Sequence, residues 1–423
     1  MGSGAPPSPA AGPQASTPAA AGRRQASRRD AGAPIGLSRR AFLASMAALP
    51  LVAQSGPKPR VVVIGGGAFG GWTALHLRNA GCEVTLLDAW GPGNSRASSG
   101  GETRVIRAIY GPDRVYVEMV RRAYELWAFD PSLYVETGAL WMNRGDDAYV
   151  RSSLAILDEL GFPVDKLTIA EGKRRWPQID FRGVKSLWLE RRAGALSARR
   201  ACQVVRDAFV AAGGRYRTEA VKPGAMPSEK ADVYVFACGP WLGKLFPDVI
   251  GDRVRPTRQE VFYFGTPAGS DRYQAGNCPI WIDFGQRIIY GIPDVHGRGF
   301  KVADDTRGAL IDPTAARRAP SEAALARARQ LLAERFPELA QAPLVASEVC
   351  QYENSPDGNL IVDRHPHAAN VWLVGGGSGH GFKLSPAVGE LVAQAILSGR
   401  EIPAMFRLGR LQKTEKRKTQ FEK

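Results

Sequence analysis

Gly65, Gly67 and Gly70 stand at the spacing Gly-x-Gly-x-x-Gly in the run "VVVIGGGAFGGWTALHLRNAGCEVTLLDA". Each glycine has separate work. The first permits a tight turn, the second lets a diphosphate approach the backbone, and the third lets a helix pack on a strand. Ala68 and Phe69 fill the gap between the last two glycines and open that helix, whose unbonded N–H groups point at phosphate. Asp88 ends the next apolar run, eighteen residues past Gly70. A carboxylate there accepts hydrogen bonds from ribose hydroxyls, which favours FAD or NAD over a cofactor carrying a 2′-phosphate. The glycines alone are a weak signal. In the full order of strand, turn, helix, strand and acid they point to dinucleotide binding.

Cys350 raises a different question. The five cysteines are at 82, 202, 238, 278 and 350, none at Cys-x-x-Cys spacing, which speaks against a zinc ribbon or a dithiol redox pair. The histidines at 76, 296, 365, 367 and 380 do not join them at metal-ligand spacing, so no metal is expected. His365-Pro366-His367 reads as a surface loop. By residue type alone, Cys350 is a small buried hydrophobe, half of a disulfide, a metal ligand or a chemically used thiol. The first is the commonest role of free cysteine. Cys82, Cys202 and Cys238 fall in expected core elements, and Cys278 falls in a loop.

The elements that must position these residues do not repeat as a βαβ array. Val61–Ile64 and Val84–Leu87 are β-branched and apolar enough for buried strands. Residues 195–214 read as an amphipathic helix ended by Gly-Gly, and 231–241 as a buried strand followed by a Gly-Pro turn. From 251 to 310 the chain is strand-like and aromatic with Gly, Pro and Asp breaks, the pattern of an antiparallel sheet. Residues 320–335 read as a helix, and 370–399 again as strand, glycine turn and helix. A nucleotide-binding fold assembled from separated segments, with a sheet inserted between them, is the architecture expected.

Charge marks the ends of the chain. The net charge is +15, but the first 60 residues carry eight Lys or Arg against Asp30, and residues 407–423 carry seven against two acids. Basic charge held in terminal arms is not the footprint of a nucleic-acid binder, which concentrates it on a folded face. Residues 1–37 are rich in Ala, Pro, Gly and Ser, the composition of a disordered leader. Ser38-Arg39-Arg40-Ala41-Phe42-Leu43 and the apolar run to Ala53 then fit a twin-arginine export signal. Its run is too short to span a membrane comfortably. Export by the twin-arginine machinery to the periplasm or another extracytoplasmic space is therefore expected.

Four separated motifs extend the dinucleotide reading. They are the fingerprint with Asp88, "SSGGETRVIRAIYG" from Ser98, "YGIPDVHGRGFKVADD" from Tyr290, and "CQYENSPDGNLIVDRHP" from Cys350 joined to "GGGSGHGFKLSPAVGE" from Gly375. In this order they resemble the sarcosine oxidase-like FAD-dependent amine oxidases of the D-amino acid oxidase superfamily, over roughly residues 60–400. The resemblance implies an α/β, Rossmann-like FAD-binding domain from discontinuous segments (58–135, 190–250 and 346–400). It implies an inserted mixed or antiparallel-sheet substrate domain (136–189 and 251–345). Residues 1–57 would be leader and signal, and 401–423 a basic tail.

It also implies roles. Cys350 would be tethered through sulfur to the flavin. Ser98, Arg104, Gly379, His380, Gly381 and Lys383 would join Gly65, Gly67, Ala68, Phe69, Gly70 and Asp88 around FAD. Arg107 and Lys383 would hold a substrate carboxylate, a planar fork beside a point charge. Lys383 stands at a helix start, where a lysine opposes the helix dipole unless an anion is near. Lys301 would promote reaction with oxygen, and Tyr290 and Tyr352 would shape the amine pocket. Two departures stand out. Asp305 occupies a position where the family has a histidine, and only about sixteen residues (215–230) join helix to strand where the family has a β-meander. The expectation is a monomeric oxidase of small secondary amino acids, N-methyl or cyclic, giving an imine and hydrogen peroxide from O2. A dehydrogenase with another acceptor and a non-catalytic flavin protein are the alternatives.

Overall fold

The computed structural model describes residues 57–412. The leader, the twin-arginine segment and the end of the basic tail lie outside them. In chain order the strands are β1 (Arg60–Ile64), β2 (Glu83–Asp88), β3 (Thr103–Ile106), β4 (Tyr134–Glu136), β5 (Ala139–Asn143), β6 (Val164–Leu167), β7 (Ser186–Glu190), β8 (Gly194–Ser197) and β9 (Arg215–Thr218). They continue with β10 (Val233–Phe236), β11 (Arg255–Phe264), β12 (Ile280–Phe284), β13 (Ile288–Ile292), β14 (Phe300–Asp304), β15 (Leu344–Asn354), β16 (Ile361–His365) and β17 (Ala368–Gly375). The longer helices are α1 (Ala68–Asn79), α2 (Arg114–Trp127), α3 (Ala198–Ala211), α4 (Glu322–Arg335) and α5 (Ser385–Ser398).

Three sheets result. A six-stranded sheet has the order β16-β17-β10-β1-β2-β9 and is parallel except for β16. Its central strands are apolar on both faces because both are covered, one by the long helices and the other by short segments that include Leu242, Ile250, Val254 and Leu411. An eight-stranded sheet, β15-β11-β14-β13-β12-β5-β7-β6, is antiparallel but for the β12–β5 pair. A three-stranded sheet, β3-β8-β4, completes the set.

Most elements fall where the sequence puts them, with four differences. Residues 195–197 are strand, not helix: Leu196 pairs with Arg104 in β3, and the helix starts only at Ala198. The short connection after that helix holds β9, which pairs along β2 as a parallel edge strand. The domain boundary expected at 346 falls inside β15, whose eleven residues pair with β11. The first part of the basic tail is packed rather than solvated: Phe406 and Leu411 are buried, and Arg410 pairs with Asp357 at 2.8 Å.

Strand alternation in the eight-stranded sheet decides where side chains go. Register places Tyr263 opposite Lys301, Ala303 opposite Tyr290, Tyr290 opposite Ile282, Ile282 opposite Trp141, and Glu348 opposite Val261. One face therefore carries Glu348, Cys350 and Tyr352 with Lys301, Tyr290, Ile282 and Trp141. The other face buries Phe262, Val302, Trp281 and Leu140 in a core with Ala324, Ala328 and Leu332 of α4.

Candidate active site

The C-terminal ends of β1, β2 and β10 open onto a cavity of about 410 Å³. Gly65 turns the chain with φ +103°, and a Cβ there would lie 2.4 Å from the Ala237 carbonyl oxygen. At Gly70 a Cβ would lie 1.9 Å from the Gly65 oxygen. Gly70 is thus fixed by helix–turn packing and is not a cavity wall. Gly65, Gly67, Ala68, Phe69 and Asp88 all line the cavity. Asp88 takes N–H groups from Gly66, Trp90 and Gly91 at 2.7, 2.9 and 2.6 Å, which ties the fingerprint turn to the end of β2. Ser98, Arg104, Gly379 and Gly381 line it further along. Gly379 has φ +85°, and a Cβ there would press on the Tyr352 ring at 2.7 Å. Cys238, expected as a core residue, also forms part of this wall.

A second cavity of about 80 Å³ adjoins the first. Arg104, Tyr352, Gly379 and Phe382 line both. Arg107, Lys383, Tyr290, Asp305 and His380 line the small cavity only. Its apolar walls are Trp141, Tyr149, Ile282, Phe284 and Ile288, which the sequence did not single out. Alternation along β5, β12 and β13 contains that signal for all of them but Tyr149, whereas the pairing of β12 with β5 that brings them together is stated by no local pattern.

The small cavity is strongly charged for its burial. The Arg107 guanidinium lies over the Tyr110 and Trp141 rings, 5.0 and 5.1 Å from their centroids. It donates to the Ile109 carbonyl, and the Ala108 and Ile109 N–H groups donate to the buried Glu190 carboxyl. Lys383 Nζ donates to the His380 carbonyl at 3.2 Å and sits 5.0 Å from the Tyr110 centroid. Burial and the Arg107 charge push Lys383 well below its ordinary pKa. Asp305 Oδ1 accepts from Tyr352 Oη at 2.6 Å. Burial pushes Asp305 up to about 6, against the Tyr352 hydrogen bond and the cations Arg307, Arg107 and Lys383. His380 contacts Gly358 O through Nε2 at 2.9 Å and Tyr110 Oη through Nδ1 at 3.1 Å. The carbonyl can only accept, so the proton is assigned to Nε2. Burial, then Lys383, hold this ring down at about 3.

Besides Gly70, two expected site residues line neither cavity. Lys301 is buried, its Nζ donating to Thr103 O at 2.9 Å, between the rings of Tyr263 and Tyr290. Burial, then the Arg104 charge, push it down to about 7. Cys350 is half-buried, with Sγ 3.4 Å from Arg104 Nη2 and 3.5 Å from Ser98 O. All five cysteines are free thiols.

The residues present fit FAD. Glycine turns that a Cβ would fill line the large cavity, and Ser98 Oγ, Gln351 Oε1 and Glu353 Oε2 are buried there without a hydrogen-bond partner among the described residues. The fold and this cavity define a dinucleotide-binding oxidoreductase. Residues 60–395 match the FAD dependent oxidoreductase family, and the chain belongs to it. It is similar to monomeric sarcosine oxidase of Bacillus sp. (strain B-0618), 30% identical over 80% of this chain and 92% of the relative. The human peroxisomal sarcosine oxidase is 30% identical over 82% and 95% of the two chains. N-methyl-L-tryptophan oxidase of Salmonella enteritidis PT4 is 26% identical over 80% and 94%. Among solved structures, L-proline dehydrogenase of P. horikoshii superposes with a TM-score of 0.73 at 22% identity, covering 85% of this chain and 99% of that one. Amadoriase I of Aspergillus fumigatus gives 0.69 at 22% identity, covering 84% and 90%, again a likeness of fold. The protein is an FAD-dependent oxidoreductase.

Proposed function

We propose that the protein oxidises the C–N bond of small secondary amino acids, N-methyl or cyclic, with O2 as electron acceptor. One observation carries this reading: three basic side chains (Arg104, Arg107 and Lys383), the Asp305 carboxyl and three tyrosines meet in a small aromatic cavity that shares a wall with the cofactor cavity. Arg107 and Lys383 bind the substrate carboxylate, which offsets the cost of burying both charges. Asp305, one oxygen held by Tyr352, takes the ammonium proton on its other oxygen and leaves the neutral amine. The aromatic walls exclude water and orient the α-carbon. Bound in the large cavity beside Gly65, Gly67, Ser98 and Gly379, FAD would supply hydride acceptance, with O2 reduced to hydrogen peroxide in this reading. The imine leaves and hydrolyses. Lys301 supports the O2 reading as a buried cation that favours developing negative charge.

The same reading places a thioether between Cys350 and the flavin, supported by the contact of Sγ with Arg104, whose guanidinium lines the cofactor cavity. Export by the twin-arginine route also belongs to it and rests on residues 38–53 alone. A peroxide assay across sarcosine, N-methyl, cyclic and D-amino acids tests the substrate class; peroxide from none of the secondary amino acids would sink it. Denatured wild-type protein should keep its yellow fluorescence and Cys350→Ala should release it. Flavin washing off the wild type would rule out the tether. Replacing Arg39 and Arg40 by lysine should leave a reporter fusion in the cytoplasm, and unchanged export would remove that part.

A further inference from the structure

The large cavity contains two carboxyl groups in unlike settings. Asp88 meets three backbone N–H donors. Glu353, on β15, meets the N–H groups of Gly377 and Gly376, of which Gly377 N donates to Oε1 at 3.2 Å. Its Oε2 is buried without a hydrogen-bond partner among the described residues. A Cβ on Gly239 would stand 3.6 Å from Oε2 and one on Gly375 3.3 Å, so glycine turns close in around it. Gly377 in turn lies against Phe69 in the first turn of α1, the helix start that favours phosphate.

We infer that Glu353 is a cofactor-binding residue that acts as a neutral acid, donating its carboxyl proton to an oxygen acceptor of FAD. An ionised carboxylate at this place would leave an unpaired charge under a cofactor that is itself anionic, and would put two acceptors face to face. As the protonated acid it satisfies its own orphaned oxygen and supplies a donor. Burial favours that form and pushes the group up to about 7, against the Gly377 and Gly376 N–H groups. The titratable groups facing it from neighbouring elements are the Cys238 thiol at the end of β10 and, beyond it, Asp88 at the end of β2. The cations Arg104, Lys222 and Lys244 line the same cavity, but none of them acts on Glu353 to hold it ionised. The bound diphosphate adds negative charge and raises the group further, so binding takes up a proton above pH 7.

The test uses the full chain carrying Cys350→Ala, stripped of cofactor, so that FAD binding is reversible and can be read by flavin fluorescence without any amine. In this parent, FAD affinity should fall about tenfold per pH unit above roughly 7, and titration calorimetry in buffers of different ionisation heat should show close to one proton taken up near pH 8. Adding Glu353→Gln, which keeps a donor and cannot ionise, should flatten the pH profile and abolish the uptake. Glu353→Ala should bind weakly at every pH. ADP as titrant separates the two possible acceptors: proton uptake with ADP places the acceptor on the diphosphate, and uptake with FAD alone on the ribityl chain. A Glu353→Gln protein that keeps the parent's pH profile and proton uptake overturns the assignment. So does a Glu353→Ala protein that binds FAD as the parent does at pH 6. Because no substrate is involved, this outcome is independent of whether secondary amino acids are oxidised.

Discussion

The two adjoining cavities are built by different means. Around the large one, recognition is made by backbone: glycine turns at the ends of parallel strands, a helix start, and N–H groups gathered by Asp88. Around the small one, it is made by side chains projecting from one face of an antiparallel sheet and from the Arg107 and Lys383 segments. Glu353 apart, the first should tolerate changes of side chain and reject an added Cβ. The second should keep its fold through conservative changes and lose its chemistry with a single charge.

The largest effect should come from that charge. Lys383→Met or Arg107→Ala removes one partner of a buried carboxylate and should lower kcat/KM for amino acids by about 2–5 kcal/mol, or roughly 30-fold to several thousand-fold. The same variants should lose far less on an amine lacking the carboxylate, while their flavin content stays at the wild-type level. Equal losses on both substrates would mean that the pair does not read the carboxylate. The reciprocal change is Gly65→Ala, where φ +103° and the Ala237 carbonyl leave no room. It should cost about 1–3 kcal/mol of cofactor affinity and appear as missing flavin absorbance, with KM of the remaining loaded enzyme unchanged. A Gly65→Ala protein that purifies fully yellow would blur the contrast between the two cavities.

Asp305 gives an effect of the same order as the carboxylate pair. In the free enzyme its ionised, proton-accepting form exists above about pH 6 and is lost as the pH falls through that value. The acid limb of kcat/KM should therefore fall near pH 6, and Asp305→Asn should lose the limb together with about 10²–10⁴-fold of rate. Lys301 governs the opposite side. Its cation is depleted as the pH rises through about 7, so reoxidation of reduced enzyme by O2 should slow above that pH. Lys301→Met should be slow at every pH in that half-reaction while substrate reduction of the flavin is spared. A reduced wild-type enzyme whose reoxidation is flat from pH 6 to 9 would detach Lys301 from oxygen.

How much was legible follows the same division. Gly65, Gly67, Gly70 and Asp88 lie within 24 residues of one another, so their geometry is local and the chain announces it. Cys350, Tyr352, Lys301 and Tyr290 could be named by resemblance, but their sharing one sheet face depends on the pairings of β15 with β11 and β11 with β14, which no local pattern states. The aromatic walls Trp141, Tyr149 and Phe284 read as ordinary core until β5 is seen beside β12. The helix expected from 195 fails for the same reason: apolar spacing suits a helix there, but pairing with β3 draws 195–197 into a strand. Glu353 stands in its motif as an acid between two polar residues, which reveals nothing until its burial is known.

The smallest effect tests the size of the side-chain cavity. Since about 10–15 Å³ admits one water, 80 Å³ suits a ligand of roughly six to eight heavy atoms. Ile288 lines this space without contributing charge, so Ile288→Ala enlarges it and leaves Arg107, Lys383 and Asp305 in place. Each methylene accommodated in an apolar pocket is worth about 1–3 kcal/mol in discrimination. The variant should therefore raise kcat/KM for a bulkier N-methyl amino acid about tenfold relative to sarcosine, mostly through KM. If the ratio between the two substrates does not move, the wall at Ile288 does not select for size, and the limit must come from the Trp141 and Phe284 side of the cavity instead.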